Sequence, residues 1–176
     1  PDNVSLQGYF QTEKYFKHIE GEIREEFTFT DEILNPCKEM IKTVDNPIAL
    51  HVRRTDYVTN SANHPPCTLE YYEEALKHFD GDRNVIVFSD DPVWCNEQEL
   101  FSGDRFLISE NEDNRVDLCL MTLCSDFIIA NSSFSWWGAW LANRGTVVAP
   151  QQWFGTDGYT KDHNTKDVVP DGWTRI

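Results

Sequence analysis

The chain has no apolar run approaching the roughly 20 residues of a membrane-spanning helix, and no cluster of lysine and arginine. Thirty acidic residues stand against 15 basic ones, a net charge of −15 over 176 residues. The first lack speaks against a helical membrane span, the second against a surface for nucleic acid or anionic lipid, both of which need grouped cations. No GxxxxGK[ST] loop occurs, so a P-loop phosphotransferase is poorly supported. Cysteine pairs at metal or disulfide spacing are missing too. Cys37, Cys67, Cys95, Cys119 and Cys124 are an odd set at irregular intervals, which favours free thiols in a reducing compartment. His64 and Cys67 lack the partners that would complete a zinc site. Internal repeats and low-complexity tracts do not occur. Pro1-Asp2-Asn3 shows neither an initiator methionine nor a charged-then-apolar leader, and the start reads as a cut in a longer chain. What is present is 40% hydrophobic residues and 13% aromatics, enough to fill the core of one domain.

Apolar runs alternate with helical periodicities. Phe16, Ile19, Ile23 and Phe27 predict an amphipathic helix over 15–29, with Glu20, Glu22, Glu25 and Glu26 on its wet side. Ile48-Ala49-Leu50 predicts a strand, followed by a long polar loop over 59–67, then Thr68 as N-cap of a helix whose inner stripe is Leu69, Tyr72, Leu76 and Phe79. Further strands are expected at 84–88, 106–108, 127–130 and 146–150. Helices are expected after Asp91, with Pro92 in the first turn, around Val116, Leu120 and Leu123, and over 134–143. Uniformly apolar strands alternating with helices imply an α/β fold, a Rossmann-like parallel sheet with helices on both faces. The reading is one domain over 1–176, with a leading helical segment over 1–45 and an aromatic tail over 151–176 that wraps back over the sheet.

Parallel crossovers bring all strand carboxyl ends to one edge, so Arg53, Asp90 and Ser132 should share a crevice despite their separation in sequence. His51-Val52-Arg53-Arg54-Thr55-Asp56 puts two guanidinium forks at a strand exit, suited to a diphosphate; the plainer reading is a surface pair bridged to Asp56. Asn131-Ser132-Ser133 enters a helix, where backbone N–H groups and hydroxyls can face phosphate, or simply cap it. Asp90-Asp91 could hold a divalent cation on a diphosphate, but a helix cap is favoured, because the arginines already supply positive charge. Trp136, Trp137 and Trp140 suit core packing, with sugar or base stacking as the alternative. Asn131 and Asn3 each head a glycosylation acceptor triplet, and Asn131 is expected to be too buried for modification.

HVRRTD, FSDDPVWC and above all NSSFSWWGAWL resemble the motifs of glycosyltransferase family 11, the α-1,2-fucosyltransferases. The resemblance runs from LQGYFQTEKYF to the closing VVPDGWTRI, and lacks the family's glycine-rich N-terminal segment. It implies the donor-binding half of a GT-B-like enzyme that transfers L-fucose from GDP-fucose, with inversion, to the 2-hydroxyl of a terminal galactose. It also implies no cofactor and no required metal, GDP-fucose and a galactose-terminated glycan as partners, and no nucleic acid. The location it implies is the cytoplasm or a membrane periphery, or the Golgi lumen for a eukaryotic source. By similarity to the related α-1,6 enzymes, Arg53 would grip the β-phosphate, His51 would lie near the nucleotide, Asp117 would read guanine, and Ser132 and Ser133 would bind phosphate. Arg53 and Asp56 are the expected catalytic pair, with Arg54, Asp90, Asp91 and Asn131 on the donor. The glutamate those enzymes use as acceptor-activating base would fall near Ser61, and serine is no base; Asp56, His64 and Glu70 are the nearby substitutes. The rival reading is a GDP-sugar-binding module, or a fragment, without catalysis.

Overall fold

The computed structural model describes residues 3–5 and 7–176. Pro1, Asp2 and Leu6, which include the start read as a cut and the first residue of the LQGYFQTEKYF segment, lie outside the described residues. Six parallel strands form one sheet in the order β3-β2-β1-β4-β5-β6: β1 Ile48–Val52, β2 Val85–Ser89, β3 Phe106–Ile108, β4 Asp126–Ile128, β5 Val147–Ala149 and β6 Thr174–Arg175. Strand order reverses between β1 and β4, which pair in register Ile48↔Asp126 through Leu50↔Ile128, and a crevice opens at such a switch point. Among the described residues no helix is long and apolar enough to cross a membrane.

Period-two alternation sorts the strands into two cores. Ile48, Leu50 and Val52 of β1, with Val85, Val87, Ile128 and Val148, meet Tyr72, Ala75 and Leu76 of α4 (Leu69–Leu76) and Cys95 of α5 (Pro92–Asn96). Ala49, Ile86, Phe88, Phe127, Ile129 and Ala149 face the opposite layer, built from α2 (Asp31–Ile41), α6 (Asn114–Leu123) and α7 (Ser133–Ala142). The double winding therefore follows from strands that are apolar on both faces. Thr68 caps α4 by accepting from the Tyr71 N–H, and Asp91 caps α5 by accepting from the Trp94 N–H, with Pro92 at its first position. Asn143 ends α7 in the left-handed conformation at φ 51°. The five cysteines are free thiols, Cys67 half-buried and the others buried.

The leading helix differs from expectation. Residues 15–29 are not one helix but two 3-10 turns, Glu13–Tyr15 and Lys17–Ile19, followed by α1, Glu20–Glu26. Phe16 leaves helical geometry at φ −130°, which seats its ring within 5.3 to 6.3 Å of Trp136, Trp137 and Trp140. Phe16 and Ile23 pack inward, whereas Ile19 and Phe27 stay exposed. Tertiary contact with the tryptophan cluster outweighs the local 3.6-residue period. Arg24 of α1 lies 3.8 Å over the Trp140 ring and donates to the carbonyls of Trp140 and Leu141 in the last turn of α7, where the helix dipole favours a cation. The leading segment also holds a second helix, α2, which accommodates Pro36 inside it, and the short helix α3, Thr55–Thr59, was not expected. The tail contributes β6, a sixth strand paired with β5 at the sheet edge.

Candidate functional site

Strand alternation separates the residues leaving β1. His51, 4% exposed, faces the α6 and α7 layer with its ring 5.4 Å from Phe134. Burial brings its pKa down from 6.5 to about 4, the nearby Asp90 charge opposing and Arg53 assisting, and its buried Nδ1 has no hydrogen-bond partner. It is therefore a neutral imidazole above mildly acidic pH. Arg53 leaves the carboxyl end of β1 half-buried, with Nη2 2.5 Å from Asp56 Oδ1, Nη1 3.3 Å from Asp90 Oδ2, and its guanidinium 5.4 Å from the ring centroid of Tyr57, a residue that lines the smaller cavity described below. Arg54 turns to the opposite face, where Nε lies 3.2 Å from Asp91 Oδ2 and the guanidinium stacks 3.7 Å over Trp94 of α5.

The acidic pair after β2 is used locally. Asp90 accepts from the Arg54 backbone N–H at 2.8 Å and from the Thr55 hydroxyl, besides its bridge to Arg53. Asp91 caps α5 and holds Arg54. Asp90 therefore links the Arg53 side chain to the backbone of Arg54, and Asp91 holds the Arg54 guanidinium on the other face. Asp117 opens α6 beside the exit of β3. It is 6% exposed, and its Oδ1 accepts from Ser109 Oγ at 2.6 Å and Asn111 Nδ2 at 2.9 Å. Burial pushes its pKa up against those two hydrogen bonds.

Beyond β4, Asn131 is a clamp. Its Nδ2 donates to the carbonyls of Pro65 and Trp153, both at 3.0 Å, its Oδ1 accepts from the Cys67 thiol, and its own carbonyl accepts from Tyr57 at 3.1 Å. It is 2% exposed, as its burial after an apolar strand predicts. Ser132 accepts from the Phe134 N–H and caps α7. Ser133 opens α7, is exposed, and lines the crevice. Trp136 and Trp140 are buried and bond to the Val168 carbonyl and Glu13 carboxylate, so they pack; Trp137 stacks on Phe16 and Phe27.

The edge of the sheet thus presents Asp117 by β3, Asp90 after β2, Arg53 after β1 and Ser133 after β4, in spatial order. With neighbouring strands about 4.8 Å apart, three intervals span on the order of 14 Å. Next to Ser133 lies a cavity of about 330 Å³ walled by Tyr57, His64, Asn131, Trp136 and Trp137. It shares His64, Phe154 and Phe10 with a second cavity of about 540 Å³ on the side of the C-terminal wrap. Tyr57 is not singled out by the sequence, whereas Phe154 belongs to the aromatic tail, with Trp153, Tyr159 and Trp173. Tyr57 had one signal, its place four residues after Arg53; nothing local pairs Phe154 with His64, because the tail brings it in from far along the chain. Of the substitute bases, Asp56 is bound to Arg53, His64 lines both cavities, and Glu70 lies exposed in the first turn of α4 and lines neither.

The model of glycosyl transferase family 11 matches residues 2–176. An alpha-1,2-colitosyltransferase from Escherichia coli is 37% identical across 99% of this chain and 63% of its own length. The O-antigen biosynthesis glycosyltransferase WbnK from the same organism is 33% identical across 97% and 60%. The galactoside alpha-(1,2)-fucosyltransferase 1 of Mico humeralifer is 27% identical across 82% and 44%. The chain therefore spans about six-tenths of the length of the first two relatives. Among solved structures, POFUT1 in complex with GDP superposes with a TM-score of 0.51 over 69% of this chain and 47% of that one, at 16% identity, a likeness of fold.

Proposed function

Because the chain belongs to glycosyltransferase family 11, we propose that it is the donor-binding part of an inverting α-1,2-glycosyltransferase that moves L-fucose from GDP-fucose to the 2-hydroxyl of a galactose-terminated glycan. The observation that carries this reading is the order of groups along the sheet edge. Asp117 stands for guanine, Arg53 for the diphosphate beside β1, Ser133 for phosphate at the start of α7, and the smaller cavity for the sugar. Relatives that act on colitose and fucose support a deoxy-sugar donor.

In the transfer, the acceptor oxygen forms a bond to C1 of the sugar as the bond from C1 to the β-phosphate oxygen breaks, and the electron pair leaves with GDP. Negative charge grows on the leaving diphosphate, so a fixed guanidinium binds it more tightly at that moment than before. Arg53 takes that role. Asp56 and Asp90 pin the guanidinium from two sides, so it needs little reorganisation. Arg53 supplies the positive charge beside the leaving diphosphate, and the proposed transfer is independent of a divalent cation. His51 stays neutral beneath Arg53 and adds no competing charge. The test is incubation of the full-length protein with GDP-fucose and lactose, with product mass and released GDP followed together. Equal amounts of fucosylated lactose and GDP are expected; GDP-fucose binding without product would favour a binding module.

A further inference from the structure

The larger cavity lies where the N-terminal residues 9–12, the loop before α4 and the C-terminal wrap meet. Close packing builds it. A Cβ on Gly155 would fall 1.9 Å from the Ala62 carbonyl oxygen, and one on Gly158 1.9 Å from Asn63 Oδ1. The two glycine N–H groups donate to the carbonyls of Asn63 and Ala62, and Thr160 Oγ1 also donates to Asn63. The wrap is thus fastened to the loop by backbone contacts that admit no side chain.

The lining of this chamber contains no lysine or arginine; of its two carboxylates Asp167 is bridged by Lys14 at 2.5 Å and Asp162 is unpaired among the described residues, so the chamber disfavours a diphosphate. It also presents the rings of Tyr9 and Tyr159, 88% and 72% exposed, together with His163 and Asn164. Aromatic faces for C–H surfaces and carboxylate and amide groups for hydroxyls suit a neutral sugar. His64 stands where the two cavities join. Its ring stacks on Tyr57 at 5.1 Å and meets the Phe154 ring edge-on at 5.5 Å, while its backbone N–H is held by the Asn60 carbonyl. Among the described residues, no hydrogen bond engages either ring nitrogen, and the ring is half-buried.

We infer that the larger chamber is the acceptor subsite, taking a neutral glycan with a terminal hexose, and that His64, at its junction with the donor cavity, is the base. The inference rests on the donor reading above. In the step, the acceptor hydroxyl oxygen bonds to the donor C1, the bond from C1 to the β-phosphate oxygen breaks with its electrons going to GDP, and the hydroxyl proton passes to an imidazole nitrogen of His64.

The experiment measures both Michaelis constants and kcat of the full-length protein with GDP-fucose and lactose, with GDP affinity and melting temperature as controls for folding. Tyr159→Ala and Asp162→Asn, both at exposed positions, should raise the KM for lactose about tenfold, a change of about 1.4 kcal/mol, and leave that for GDP-fucose in place. His64→Gln should lower kcat on the order of a hundredfold with both KM values and GDP affinity retained. An unchanged lactose KM in both chamber variants would overturn the subsite, and a wild-type kcat in His64→Gln would overturn the base. GDP binding by the wild type without transfer to lactose would overturn the chamber as a lactose subsite while the donor reading stood. Absence of GDP binding would remove the donor reading and the subsite with it.

Discussion

Arg53 and Arg54 are adjacent in sequence and face opposite sides of the sheet, and their variants should fail in different ways. Arg53 is held toward the crevice by Asp56 and Asp90. Arg53→Lys keeps the charge but loses the two-pronged contact, so kcat of the full-length enzyme should drop roughly tenfold or more, with smaller changes in KM. Arg54, stacked over Trp94 and bridged to Asp91, should act on stability: Arg54→Ala is expected to cost about 1 kcal/mol in urea unfolding. Arg54→Lys should leave kcat within about twofold of the wild type. The reverse ranking of the two lysine variants in kcat would exchange their roles. His51 makes a separate prediction. Its folded pKa, about 4, lies below the ordinary 6.5, so the unfolded chain takes up a proton first as pH falls. The associated stability is fully present above pH 6.5 and is lost progressively toward pH 4, by on the order of 1 kcal/mol per unit within that window. Urea midpoints across that range should fall more steeply for the wild type than for His51→Gln.

At the scale of elements, the crevice depends on α6 and α7 lying close together over the sheet. A Cβ on Gly138 of α7 would sit 2.2 Å from the sulfur of Met121 on α6, itself 1% exposed. Gly138→Ala should therefore destabilise by about 1–3 kcal/mol through overpacking. Adding Met121→Ala should give a double variant less destabilised than the sum of the two single changes, because the cavity made by one accepts the methyl group of the other. Strict additivity in denaturant unfolding would mean that the helices adjust without strain. Because α6 carries Asp117 and α7 carries Ser133, Gly138→Ala bears on nucleotide binding as well as on stability.

At the scale of the whole molecule, the proposed function makes the sheet edge a ruler for a guanine nucleotide. GDP should raise the melting temperature of the protein more than UDP at equal concentration, since the Asp117 carboxylate can accept from guanine N1–H and N2–H and uracil lacks that donor pair. A chelator should leave the GDP effect intact; its loss would point to Asp90 and Asp91 as cation ligands instead. The sequence by itself determined the parallel α/β architecture, because strands such as Ile48–Val52 and Val85–Ser89 are apolar on both faces and need a helical layer on each. Parallel crossovers likewise bring Arg53, Asp90 and Ser132 to one edge whatever the loops do. The caps at Thr68 and Asp91 were equally legible, since capping is decided within a few residues. Tertiary structure alone decided what depends on contacts distant in sequence. It broke the leading helix at Phe16 to fill the tryptophan cluster, gave Asp90 and Asp91 to the arginines, and made Asn131 a clamp across the loop and the wrap. It also added Thr174–Arg175 as an edge strand too short to show a period of its own, and brought Phe154 against His64 and Tyr159 against His163 in the lining of the second chamber. Local periodicity carries no record of such pairings, because the free energy that selects them comes from surfaces that meet only after the chain has folded.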